Sequence, residues 1–256
     1  MGLHDNAGAG PQMIQAPAPA ADKEGWPAST PDAALFDSAP EAALLDRAPD
    51  AALFDHAPEA ALFDLGKVLL DWDPRYFYAR HFDEAAALEH FLAEAVPMQW
   101  VEEMDGGKPV AQAMAERQRL HPDHAHLIAL WLAGWPHMLR GEIEGTARII
   151  RELKARGTRL YALTNFSAET FPVAQAACPT LALFEHIVVS GHIGLVKPDP
   201  RIYAHAIERC ALDPARTVFI DDSMVNVAAG RAAGLHALHF VTPEQLRVDL
   251  AALGLS

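Results

Sequence analysis

The stretch Ala60-Ala61-Leu62-Phe63-Asp64-Leu65-Gly66-Lys67-Val68-Leu69-Leu70 decides the architecture. Four apolar residues end on an acid, an Asp-x-Gly turn follows, and a second apolar run begins. A run that short, apolar at every position and closed by a turn reads as a strand buried on both faces, as in a parallel sheet. Similar runs recur at Arg159–Thr164, His186–Ser190, Thr217–Asp221 and His236–Phe240. Helical patterns separate or follow them at Ile143–Arg156, Ser167–Ala177, Asp199–Cys210, Ser223–Ala233 and Pro243–Leu253, with Gly157 and Gly234 as stops. Strands alternating with helices predict right-handed βαβ units and a doubly wound α/β parallel sheet.

Between the first strand and its partner helix lies a long insertion, about Pro74 to Arg140, that reads as helical throughout. Asp83–Val96, Pro109–Leu120 and His124–Gly134 are its expected helices. An open α/β sheet binds its ligand at the carboxyl ends of its strands, and an insertion there is expected to be a lid.

Upstream of Asp64 the chain changes character. A nine-residue unit repeats: Pro31-Asp32-Ala33-Ala34-Leu35-Phe36-Asp37, Pro40 to Asp46, Pro49 to Asp55, and Pro58 to Asp64. Nine residues make about two and a half helical turns, so successive units would face opposite sides of a helix. Nine is odd, so they would alternate faces in a strand too, and the recurring proline blocks a continuous helix. Only Asp64 runs into Leu-Gly-Lys-Val-Leu; Asp37 is followed by Ser38 and Asp55 by His56. The earlier units are therefore expected to be tandem copies of the strand-one segment without its chemistry. Residues 1–57, Ala/Pro-rich before the repeat, are expected to be a largely disordered low-complexity extension. The resulting division is 1–57 extension, 58–73 with 141–256 as the core, and 74–140 as the cap.

The net charge of −14 opposes a nucleic-acid-binding role, which needs a basic footprint. Nine acids against Lys23 and Arg47 place half of that charge in residues 1–57. No apolar run is long enough to span a bilayer, and the first residues lack the pattern of a secretory signal. Cys178 and Cys210 are far apart and without metal-ligand spacing, which predicts reduced thiols and a cytoplasmic protein. Neither a nucleic-acid nor a membrane partner is expected, and the oligomeric state is open.

Chemistry-bearing residues fall at the predicted strand ends. They are Asp64, the pair Thr164-Asn165, Lys197 upstream of a helix, and Asp221-Asp222 with Asn226 after them. Carboxylates converging from two strands suit a hard cation bound through oxygen, with magnesium the natural choice. The cation and a lysine then neutralise a phosphoryl group while Asp64 attacks it in line.

These motifs, in this order, resemble the haloacid dehalogenase (HAD) superfamily, subfamily I, over roughly residues 59–256. The segments Phe63-Asp64-Leu65-Gly66 through Leu70-Asp71-Trp72-Asp73-Pro74-Arg75, and Leu163 through Phe171, are similar to its phosphatase-like branch. The resemblance implies a Rossmann-like core with a helical cap and a magnesium-dependent phosphatase of a small phosphorylated metabolite. It also implies roles. Asp64 is nucleophile and metal ligand, the Gly66 carbonyl and Asp222 are further ligands, and Thr164 and Asn165 hold phosphoryl oxygens. Lys197 balances their charge, Asp221 orients Lys197 or a metal-bound water, and Asn226 supports the metal shell.

One departure stands out. The family's usual acid two residues after the nucleophile is absent, and Gly66 occupies its place. That acid protonates the leaving group and then activates water, help typically worth ~10²–10⁴-fold in rate. Its loss predicts slow turnover of alkyl phosphates and a preference for acyl or anomeric ones, unless the lid supplies a substitute. Glu102, Glu103, Asp105 and His137 are the candidates.

Two alternatives stay open: a 2-haloacid dehalogenase-type hydrolase forming an ester at Asp64, and a phosphate-ligand binder with weak turnover. Lys197 and Tyr203 do not separate these, whereas Asp221-Asp222 favours the phosphatase because it would repel a haloacid carboxylate. His121, His124 and His126 read as a solvated helix start rather than a metal site. Lys67 could add positive potential near the phosphate or equally sit on a solvent-facing turn, and Trp100, Trp131 and Trp135 are expected to pack the lid core or line its cleft.

Overall fold

The structure is a computed structural model that describes residues 58–255. The expectations for the repeat extension, 1–57, lie outside the described residues.

Five parallel strands form the sheet: β1 Ala60–Phe63, β4 Arg159–Thr164, β5 His186–Val189, β6 Thr217–Asp221 and β7 His236–His239, in the order β5-β4-β1-β6-β7. Strand β1 is central, paired with β4 on one side and β6 on the other. Its residues alternate between two apolar clusters, with Ala61 and Phe63 in one and Ala60 and Leu62 in the other. Strands β4 and β6 divide likewise, Leu160, Ala162, Val218 and Ile220 against Tyr161, Leu163 and Phe219. Period-two side chains buried on both faces explain the uninterrupted apolar runs.

Helices α7 Glu144–Ala155, α8 Phe171–Ala177, α9 Ser190–Ile193, α10 Pro200–Arg209, α11 Met224–Ala232 and α12 Pro243–Ala252 complete the core. Ile149, Ile150 and Leu153 of α7 and Leu246 and Leu250 of α12 join the first cluster. Ile202, Tyr203 and Ala206 of α10 and Val227 of α11 join the second. Helices on both faces make the sheet doubly wound.

The chain leaves the core through β2 Leu70–Trp72 and returns through β3 Leu139–Glu142, an antiparallel ribbon with an irregularity at Asp71/Trp72. No local pattern in the sequence marks this ribbon. Between its strands lie α1 Arg75–Tyr78, α2 Ala85–Ala95, α3 Met98–Asp105, α4 Val110–Leu120, α5 Ala125–Ile128 and α6 Trp131–Gly134. The expected helices at 83–96 and 109–120 are present, slightly trimmed. The expected 124–134 helix is instead two short helices, and Trp131 at the start of the second meets Trp72 and Trp100 at ring centroids 6.4 and 4.9 Å away. Helix α3 lies within the stretch expected to be helical but outside its three expected helices. Its buried face is Trp100, Val101 and Met104, and Pro97 and Gly106 flank it.

Candidate active site

Parallel registry places the acids side by side. Phe63 is level with Ile220 across β1 and β6, and the Asp64 amide donates to the Ile220 carbonyl at 2.8 Å. Asp64 and Asp221 therefore leave neighbouring strands at the same edge, where an open α/β sheet places its ligand. Carboxylate oxygens of Asp64, Asp221 and Asp222 all lie within 4.8 Å of one another. Among the described residues no other group of three or more His, Cys, Asp or Glu gathers this closely, so His121, His124 and His126 form no such cluster.

Lys197 is the buried cation of the site, with its side chain 1% exposed. Its Nζ donates to Asp221 Oδ2 at 2.6 Å and lies 3.0 Å from Asp64 Oδ1. Asp221 is wholly buried, and its other oxygen accepts from the Ser223 amide at 2.9 Å and Asn226 Nδ2 at 3.0 Å. A relay thus runs from Asn226 through Asp221 and Lys197 to Asp64. Both Asp221 oxygens are engaged, which leaves Asp222 as the acid of the pair facing the cleft.

Asn165 lines the cavity and also binds the Lys197 main chain. Its Nδ2 donates to the Lys197 carbonyl at 3.0 Å, and its Oδ1 accepts from the Lys197 amide at 2.8 Å. Both ends of the side-chain amide grip the lysine main chain, so its geometry fits positioning Lys197 better than holding phosphoryl oxygens. Thr164 is buried, and its Oγ1 has no hydrogen-bond partner. An orphaned buried hydroxyl is costly and is the state expected of a donor kept for a ligand. Tyr203 is buried and donates to the Asn226 carbonyl at 3.0 Å.

The electrostatics show a surplus of negative charge. Burial pushes the Asp64 carboxyl up, Lys197 opposes this, and Asp221 and Asp222 add to the rise. Asp222 is also raised, first by burial and then by Asp221, against Lys67 and Lys197. Burial works against the Lys197 ammonium, yet Asp64 and Asp221 outweigh it and hold the group above its ordinary value. One buried lysine faces three acids, with Lys67 acting on Asp222 alone.

Above them is a cavity of about 410 Å³. Asp64, Gly66, Lys67, Asn165, Lys197 and Asp222 form its polar side, so Lys67 does reach the site. The lid side brings Trp72, Val101, Trp135, Glu102 and Asp105. Of the proposed substitutes for the missing acid, Glu102 and Asp105 line this cavity. Glu103 instead receives Lys108 Nζ at 2.8 Å, and His137 stacks on Phe77 at 6.2 Å between centroids. Gly66 has open space around it, since a Cβ built there meets nothing within 4 Å. Its backbone is not left-handed, unlike that of Lys67 beside it at φ 57°.

A five-stranded parallel sheet with a helical insertion and these motifs at its strand ends defines a hydrolase with a Rossmann-like core and a helical cap. Residues 58–234 match the family model for haloacid dehalogenase-like hydrolases, and the chain belongs to that family. Curated relatives include a sesquiterpene phosphatase of Aspergillus oryzae, 35% identical over 36% of this chain and 46% of the relative. Protein CbbY of Rhodobacter capsulatus is 32% identical over 41% of this chain and 47% of its own length. A phosphoglycolate phosphatase of Nitrosospira multiformis is 37% identical over 36% of this chain and 40% of the relative. The chain thus spans less than half the length of these curated relatives.

Among solved structures, a HAD family enzyme from Bacteroides thetaiotaomicron in complex with magnesium and inorganic phosphate superposes with a TM-score of 0.52. The identity is 21%, over 71% of this chain and 93% of that one. An L-2-haloacid dehalogenase superposes with a TM-score of 0.55 at 20% identity, over 73% of this chain and 85% of that one. Both likenesses concern the fold.

Proposed function

We propose that this hydrolase is a magnesium-dependent phosphatase that forms an aspartyl-phosphate at Asp64, with residues 74–140 as a cap over the core. The observation that carries the proposal is the gathering of three carboxylates within 4.8 Å against one buried lysine. A dehalogenase must receive an organic carboxylate, and Asp222 at the cleft would repel it. A hard divalent cation suits the same oxygens and removes the surplus charge. Asp64, the Gly66 carbonyl and Asp222 are the residues that would hold it. Once bound, the cation supplies charge neutralisation to the phosphoryl oxygens.

The protein's own groups do the rest. Lys197, fixed by Asn165 on its main chain and Asp221 on its ammonium, sets a positive charge beside the Asp64 carboxylate. The Thr164 hydroxyl, buried at the end of its strand and without a partner, is the donor we assign to a phosphoryl oxygen. Prepositioned charges of this kind cost no reorganisation as the reaction proceeds.

The substrate we favour is a phosphate ester with an apolar body. Leu70, Trp72, Val101, Trp135, Leu139 and Phe166 make one wall of the cavity, with exposed Met98 and Val225 at its rim. Such a wall is closer to the needs of a sesquiterpene phosphatase than of a phosphoglycolate phosphatase. The unpaired buried thiols Cys178 and Cys210 suit a reducing cytosol. Among the described residues no helix is long and apolar enough to cross a membrane.

The deciding assay compares phosphate release with and without magnesium against halide release from 2-haloacids, in wild type and Asp64→Asn. Magnesium-dependent phosphate release abolished by Asp64→Asn is the expected result. Halide release without metal would replace the phosphatase reading, and full activity in Asp64→Asn would remove the nucleophile. An isoprenyl monophosphate is expected to exceed phosphoglycolate in kcat/KM; the reverse order would sink the apolar-substrate reading.

A further inference from the structure

The vacant position at Gly66 leaves the reaction without its usual proton donor, and the lid offers a replacement. Asp105 is the last residue of α3 and turns toward the same cavity as Asp64 and Lys197. Its main chain is tied to the core, because Ser190 Oγ donates to the Asp105 carbonyl at 2.6 Å. Ser190 Oγ in turn accepts from the Phe166 amide at 2.9 Å, on the loop that follows Thr164. The main chain that carries the carboxyl is thus tied to the core as well as to the lid. Glu102, one turn earlier on α3, also lines the cavity but is exposed and has no comparable tether.

We infer that Asp105 is the general acid and base of this enzyme, supplied by the cap in place of the acid missing at Gly66. This rests on the phosphatase reading of Asp64. Burial keeps the Asp105 carboxyl protonated up to about 7, with Glu102 and Asp64 adding to the rise and the Ser167 amide opposing it. A carboxyl poised there can give and take a proton at neutral pH, as a general acid–base must.

The steps balance. An Asp64 oxygen attacks phosphorus, the bond from phosphorus to the ester oxygen breaks, and that oxygen takes the Asp105 proton and leaves as the alcohol. Asp105, now a carboxylate, takes a proton from the water that attacks the aspartyl-phosphate. The phosphorus–Asp64 bond breaks, Asp64 returns as a carboxylate, and inorganic phosphate departs.

The test is kcat/KM for a series of phosphate monoesters, from nitrophenyl to simple alkyl, in wild type, Asp105→Asn, Glu102→Gln and Glu103→Gln. Asp105→Asn is expected to lose ~10²–10⁴-fold on alkyl esters and little on nitrophenyl phosphate, whose leaving group needs no proton. With nitrophenyl phosphate it should release a burst of about one nitrophenol per active site, because hydrolysis of the intermediate is also slowed. Glu103→Gln should follow wild type. Gly66→Asp added to Asp105→Asn should recover the alkyl esters, which also answers any loss of folding in the single variant. Equal loss on every ester, no loss, or a steep slope in Glu102→Gln with none in Asp105→Asn would overturn the assignment of Asp105. Phosphate release that depends on Asp64 while the Asp105→Asn slope stays flat sinks Asp105 alone. Activity that survives Asp64→Asn sinks the phosphatase reading and this inference together.

Discussion

At the residue scale the site is governed by one lysine. Lys197 lies 2.6 Å from Asp221 and 3.0 Å from Asp64, with all three groups out of water. Removing one partner of a buried pair is costly because the other stays buried and uncompensated. Lys197→Met is therefore expected to destabilise the protein by about 3–5 kcal/mol, read as a lower urea midpoint. Asp64→Asn should behave in the opposite way. It removes one of three crowded acids and leaves the Lys197–Asp221 pair intact, so activity should vanish while the urea midpoint holds or rises. A marked fall in that midpoint would show that the three acids do not repel one another as their geometry requires.

Asp105 supplies a pH dependence at the same scale. Its folded-state value is raised from the ordinary 3.8 to about 7. Between those limits the folded state binds a proton that the unfolded chain has released, so its contribution to stability falls as pH rises through that window. Asp105→Asn should flatten that part of the curve between about pH 4 and pH 7, measured as urea midpoints at several pH values. An unchanged slope would mean that the carboxyl is free in water.

At the element scale the lid depends on α3 and on its tether to the core. Ser190 bridges the Phe166 amide and the Asp105 carbonyl, and Gly191 follows it. A Cβ on Gly191 would lie 2.5 Å from the Ala168 amide nitrogen and 2.7 Å from the Phe166 carbonyl oxygen, main-chain atoms that cannot swing aside. Ser190→Ala leaves the Phe166 amide without this acceptor, and an orphaned buried group costs about 1–3 kcal/mol. Amide exchange in residues 98–107 should accelerate in Ser190→Ala more than exchange in β1 or β6. Uniform acceleration would show that the tether belongs to global stability and does not specifically hold the lid.

At the whole-molecule scale the surplus negative charge at the sheet edge predicts that a bound cation stabilises the fold. A ligand held by the folded state alone stabilises by about 2.7 kcal/mol at a hundred times its dissociation constant. Magnesium should therefore raise the melting temperature of wild type and do so much less for Asp222→Asn. An equal rise in both would place the cation elsewhere.

Several features were legible along the chain because they depend on local pattern. The five core strands appear as short apolar runs, since a strand covered on both faces has no polar side to show. Asp64 was separable from Asp37, Asp46 and Asp55 because only it is followed by the Leu-Gly-Lys-Val-Leu turn. Other features needed the folded chain. The β2–β3 ribbon pairs Leu70 with Glu142 and Asp71 with Gly141, residues far apart in sequence, and no local signal announces such a pairing. Helix α3 is only eight residues long, too short for periodicity to stand out, although Pro97 before it and Gly106-Gly107 after it mark its ends. Asn165 could be located from sequence, but its grip on the Lys197 main chain follows from a loop folding back onto β4. The choice among Glu102, Glu103, Asp105 and His137 was likewise tertiary. Sequence alone sets which residues carry acids; the packing of the lid against the sheet edge determines which of them face the nucleophile.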